Sequence, residues 1–137
     1  MEKIFSKVNP SKLLHMINCR SNITANRCDI SPPKEFLQVS CFSLPKDKTF
    51  KAHYHVPLER HTTITQESWI VIQGKIKAIL YDLDNTIIAE LVLEPGDCSI
   101  TFYGGHNYIC MEEDTLVYEY KTGPYMGQAK DKEFIKL

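Results

Sequence analysis

The chain has little of what would set it apart from ordinary water-soluble proteins. It has no long apolar run: the longest, such as Trp69 to Ile72, are far too short to cross a bilayer. It has no excess of one charge, since 16 Lys and Arg stand against 17 Asp and Glu for a formal net charge of −1. Neither nucleic acid nor a membrane surface is therefore expected as a partner. None of the five cysteines (Cys19, Cys28, Cys41, Cys98 and Cys110) forms a CxxC pair. An odd count rules out a complete disulfide framework, the spacing argues against a zinc knuckle, and the thiols read as buried or incidental. The first residues, Met-Glu-Lys-Ile-Phe-Ser-Lys, carry no apolar core of signal-peptide length, so a cytoplasmic location is expected. The Asn22-Ile23-Thr24 sequon then reads as chance.

What is present fits one domain: 137 residues, with 43% apolar residues. Residues 1–35 read as an N-terminal arm. Ser11, after Pro10, is placed to cap a short helix through Leu13, Leu14 and Ile17, and Pro32-Pro33 halts regular structure. From Phe36 onward short β-like runs alternate with turn residues. They span Phe36 to Leu44, Phe50 to His55, Trp69 to Gln73, Lys75 to Tyr81, Ile87 to Leu93, Cys98 to Phe102, His106 to Met111 and Thr115 to Lys121. Many short, evenly spaced strands predict a sandwich or barrel over residues 36–122, and no helical period supports a βαβ order. Residues 123–137 form a tail expected to pack on the barrel or on a partner subunit.

His53-Tyr54-His55 closes one of these runs, and residues two apart on a strand share a face, so both imidazoles would point to one side. Downstream, Glu67 opens a strand that ends at Gly74. Pro95-Gly96-Asp97 then opens another that ends at Gly104-Gly105-His106.

These pieces, in this order, resemble the two motifs of the cupin superfamily: HxH with a glutamate in an E-(x)6-G frame, then a Gly-Asp turn, a strand and a glycine-flanked histidine. The resemblance covers roughly Phe36 to Lys121. The ending, Gly123-Pro124-Tyr125 with Asp131-Lys132-Glu133-Phe134, is similar to that of small WbuC-type cupins, which are associated with bacterial surface-polysaccharide gene clusters; Arg20 and Asn22 fit the same group. The resemblance implies an all-β cupin-type jelly-roll barrel (a double-stranded β-helix). It also implies a metal held by His53, His55, Glu67 and His106. Glu59 is the alternative carboxylate, because it lies nearer His55, but it lacks a glycine in the E-(x)6-G frame.

Three imidazoles and a carboxylate suit Mn, Fe, Co, Ni or Zn rather than Mg or Ca. Such an ion keeps open positions for a ligand and acts as a Lewis acid. The implied activity is that of an isomerase or epimerase on a sugar or nucleotide-sugar. The alternatives are an iron-dependent dioxygenase, a non-enzymatic binding module, or a metal-free isomerase with His53 or His55 as base and a tyrosine as partner. Candidate substrate contacts are Arg60, whose fork suits carboxylate or phosphate, and Tyr54, Tyr118 and Tyr120, with Tyr103 and Tyr108 as further tyrosines suited to stacking on a sugar or base. Tyr118 and Tyr120 share a face opposite Glu119, so one of these faces is interior. His15 and His61 are expected to face solvent. Ile79 to Thr86 matches the DxDxT nucleophile motif of haloacid-dehalogenase-type phosphatases. Without the α/β sheet that chemistry needs, it reads as a hairpin turn. Open strand edges make a homodimer expected.

Overall fold

The computed structural model describes residues 1–136. Among them the fold is mostly β, with ten strands: β1 (Glu2–Phe5), β2 (Leu13–Asn18), β3 (Cys28–Asp29), β4 (Ser40–Cys41), β5 (Glu67–Gln73), β6 (Ile76–Tyr81), β7 (Ile87–Leu93), β8 (Cys98–Thr101), β9 (His106–Cys110) and β10 (Leu116–Lys121). A single helical turn, α1 (Gln128–Asp131), follows them. The strands form a five-stranded sheet in the order β1-β2-β8-β5-β10, a three-stranded sheet β7-β6-β9, and a ribbon β3-β4. All pairings are antiparallel. No described helix is long and apolar enough to cross a membrane.

The main core lies between the two larger sheets. Ile4, Ile17 and Val71 from the first sheet pack with Ile76, Ala78, Leu80 and Leu93 from the second. A second core covers the opposite face of the five-stranded sheet, where Met16, Cys98, Ile100 and Phe102 meet Ile30, Leu37 and Val39 from the segment around the ribbon. Each buried Leu or Ile contributes roughly 1.5–3 kcal/mol to holding these layers together.

The double cover explains the first correction. Leu13 to Ile17 forms not a capped helix but strand β2, hydrogen-bonded between β1 and β8. Leu14 through Asn18 are all buried, because both faces of β2 meet apolar layers. Such a strand carries no two-residue alternation to identify it, and here the buried polar residues His15 and Asn18 stand among Leu13, Leu14, Met16 and Ile17. Residues 1–35 accordingly contribute two strands to the main sheet as well as a covering segment.

The second correction concerns the region before β5. The run Phe36 to Leu44 narrows to β4, and residues 42–66 contain no strand or helix, so Phe50 to His55 is not a strand. Every residue from 42 to 65 is exposed. Both flanks of β5 are taken, by β8 and by β10, which leaves no place beside Glu67 for another strand.

The Asp82 to Thr86 segment is the β6–β7 hairpin turn that its composition predicts. Asp82 N–H donates to the Thr86 carbonyl, and Asn85 takes a positive φ of 67°. The buried Asp82 carboxylate accepts from Ser6 Oγ at 2.5 Å, Lys7 N at 2.6 Å and Leu83 N at 2.7 Å. Its oxygens tie the N-terminal hairpin to the turn.

A candidate small-molecule cavity

Glu67 opens β5 in the five-stranded sheet, and His106 opens β9 in the three-stranded one. The two sheets bring them together: His106 Nε2–H donates to Glu67 Oε1 at 2.9 Å. Two residues further along each strand, on the same faces, stand Trp69 and Tyr108. Their rings stack with centroids 4.2 Å apart and planes 21° off parallel. Trp69 Nε1–H also donates to Glu67 Oε1, at 2.8 Å. Burial raises the proton affinity of Glu67, but the hydrogen bond and charge of His106, the Trp69 donor and the charge of Lys132 outweigh it. Its carboxyl is held below the usual carboxylate range.

Thr101 lies directly opposite Glu67 in the β5–β8 ladder. Beneath it His15 is fully buried, which corrects the expectation that it faces solvent. The Tyr81 carbonyl can only accept, so His15 Nε2 carries the proton and donates to it at 3.0 Å. Thr101 Oγ1–H then donates to His15 Nδ1 at 3.0 Å. Burial, then the nearby charge of His106, lowers the His15 pKa to about 4, against the partial offset of the Tyr81 hydrogen bond. Tyr108 OH donates to Ser99 Oγ at 3.1 Å, and burial pushes its phenol above the usual range.

Glu67, Trp69, Thr101, His106 and Tyr108 line a cavity of about 600 Å³ that Glu119 and the C-terminal tail also border. Its size falls within the usual range for small-molecule sites. The tail is held by Asp131, which accepts from Thr65 Oγ1 at 3.2 Å and from Lys121 Nζ at 2.9 Å. Gly104 and Gly105 let the wall close up: a Cβ on Gly104 would sit 2.5 Å from the Tyr81 carbonyl, and one on Gly105 would sit 2.5 Å from Ile135 Cδ1.

Of the four expected ligands, Glu67 and His106 meet, while His53 and His55 lie on the exposed segment, 5.5 Å apart by ring centroids. His53 Nδ1 bonds the Lys51 carbonyl at 2.8 Å. Glu59 is also exposed and faces His61 Nε2 at 3.6 Å. Among the described residues no group of three or more His, Cys, Asp or Glu side chains is placed to hold a metal ion. As arranged, the donors therefore do not fit a four-ligand centre. The His106 Nδ1 atom is buried without a hydrogen-bond partner.

Of the candidate substrate contacts, Tyr108 lines this cavity, while Arg60, Tyr54, Tyr103, Tyr118 and Tyr120 do not. Arg60 borders a separate, open concavity of about 620 Å³ with Lys34, Glu35 and His61. Tyr54 is 86% exposed, and Tyr118 and Tyr120 lie on the outer face of β10, with Glu119 on the cavity side. Trp69, Thr101 and Glu119 were not anticipated as site residues from the sequence. Stepping two residues along each strand from Glu67 and His106 would have found the aromatic pair.

No protein-family model matches the chain, and no curated protein or solved structure matches it either.

Proposed function

We propose that the chain is a cupin-type jelly-roll protein. Its cavity takes a small polar molecule of the sugar or nucleotide-sugar class and isomerises or epimerises it, in the manner of the small WbuC-type cupins of surface-polysaccharide metabolism. The fold part is supported by two packed antiparallel sheets with the core between them. The functional part rests on one observation: the carboxylate and the imidazole singled out from two separate motifs meet at 2.9 Å in the cavity wall. Trp69 and His106 both donate to Oε1, which leaves Oε2 for a ligand hydroxyl or for an acidic C–H proton. The Trp69–Tyr108 stack offers an apolar edge against which a sugar ring can lie.

The meeting of Glu67 Oε1 and His106 Nε2 also favours a second reading, in which both belong to a divalent transition-metal site. His53 and His55 would then complete it by moving in from the exposed segment, which also leaves room for iron-dependent dioxygenase chemistry. Exposed Phe50, Tyr54, Val56 and Leu58 on that segment and the free edges of β7, β9 and β10 support a homodimer.

The test is a panel of neutral sugars and nucleotide-sugars titrated against the purified protein, followed by an isomerisation assay in air and under anaerobic conditions. Elemental analysis of the wild type beside His106→Ala accompanies it. Saturable binding lost in Glu67→Gln supports the site. Turnover without oxygen supports the isomerase, oxygen-dependent turnover the dioxygenase, and binding without turnover a plain binding module. Equal, substoichiometric metal in both proteins sinks the metal reading. No binding by any sugar overturns the substrate class.

A further inference from the structure

Cys28 and Cys41 are direct partners in the antiparallel β3–β4 ribbon. Directly opposed residues in such a ladder have Cα atoms about 4.5–5.5 Å apart, inside the range of roughly 4.4–6.8 Å that disulfides span. Both thiols are free and half-buried, so small oxidants can reach them. As a directly opposed pair, the two side chains leave the same face of the ribbon, and after burial the neighbouring Cys28 thiol is what raises the Cys41 thiol above its ordinary range. The other thiols are placed differently. Cys98 is buried with Ser68 Oγ 3.2 Å from its sulfur, while Cys19, just after β2, and Cys110, at the end of β9, are exposed.

We propose that Cys28 and Cys41 form a reversible redox modification site, closing to an intramolecular disulfide when the protein meets a peroxide. The chemistry balances with hydrogen peroxide as oxidant. One thiolate attacks a peroxide oxygen, the O–O bond breaks, and a sulfenic acid and one water result. The second sulfur attacks the sulfenic sulfur, forming the S–S bond and releasing a second water. Two electrons pass from the two sulfurs to the peroxide, and the two thiol protons end in the two waters.

The bond would close the segment from Asp29 to Ser40 into a loop. That segment carries Leu37, whose N–H donates to Gln66 Oε1 at 2.8 Å, and Glu35, whose Oε2 accepts from Gln66 Nε2 at 2.7 Å. Gln66 immediately precedes Glu67, so oxidation would stiffen the support of the cavity wall. The site itself does not depend on what the cavity binds.

The experiment treats the full-length wild type with stoichiometric hydrogen peroxide, quenches with an alkylating agent, and maps the peptides without reduction. The expected result is a fall in titratable thiols from five to three. A Cys28–Cys41 peptide pair lacking two hydrogens should appear and be released by dithiothreitol, and Tm should rise by several degrees. Cys110→Ser should leave the crosslink intact, and Cys28→Ser should abolish it. Five thiols after treatment, a crosslink between another pair, or only sulfinic acid or intermolecular dimers would overturn the proposal. The wild-type map decides the matter even if a serine variant folds poorly.

Discussion

Trp69 lies flat against Tyr108 although the two belong to different sheets, and the same indole donates its N–H to Glu67. One side chain thus joins the two layers and fixes the carboxylate. Trp69→Phe keeps most of the stack but removes the donor, so the Glu67 carboxyl should titrate higher than in the wild type, as read by NMR. Trp69→Ala should cost about 3–5 kcal/mol in urea unfolding. Trp69 is the sole tryptophan in the chain, so its fluorescence should respond to any ligand that enters the cavity.

His15 makes a specific contribution to acid sensitivity. Its folded pKa of about 4 lies below the ordinary 6.5, so between those values the unfolded chain binds the extra proton. Stability from this group is complete above about pH 6.5 and declines as pH falls toward 4, by about 3 kcal/mol in all. Urea unfolding at intervals across that window should show the decline. A His15→Gln variant, which retains a donor and an acceptor but does not titrate, should lack it.

Glu67 acts at lower pH. Its folded pKa is depressed, so its contribution is present above the ordinary carboxylate value and is lost as pH falls through the folded one. Glu67→Gln should remove that acid-side loss while leaving the His15 window in place. A Glu67→Gln curve identical to the wild type below pH 4.5 would show that the His106 hydrogen bond does not hold the carboxylate ionised.

Two glycines with similar backbones should respond differently to alanine. Gly104 (φ +78°) and Gly127 (φ +92°) both adopt conformations that L-residues resist, which costs about 1 kcal/mol or more at each. At Gly104 the new methyl would also meet the Tyr81 carbonyl at 2.5 Å, while at Gly127 nothing lies within 4 Å. Gly104→Ala should therefore lower Tm clearly more than Gly127→Ala, and it should perturb the cavity wall as well.

The strands from β5 onward were legible because each is bounded by a residue with a turn function: Gly74, Asn85, Gly96 and Gly104 all take positive φ. Glu67 and His106 were legible for the same reason, since each stands at the start of such a strand. β2 was not, because the layer covering its second face comes from residues 28–41, and an apolar run buried on both sides looks alike in helix and strand. The alternation in Phe50 to His55 misled in the opposite way. Period-two patterning makes a strand only where it pairs with a sheet edge; β8 and β10 occupy both flanks of β5, and the segment pairs with none of the edges that β1, β7, β9 and β10 leave free. The tail's place at the cavity follows from Asp131 reaching Lys121 and Thr65, a tertiary contact with no local signature.

The exposed stretch from 42 to 65 makes the chain divisible. Lys46, Lys48, Lys51 and Arg60 stand along it, open to trypsin, with no strand hydrogen bonds to protect the backbone. A cut there frees no element from the fold, because β2 on one side of the nick remains laddered to β8 on the other. The nicked protein would run as two fragments on a denaturing gel and as one particle on a sizing column. Co-expressed halves separated at that stretch would find each other as a split protein, bringing Cys28 and Cys41 on one piece and the Glu67–His106 pair on the other.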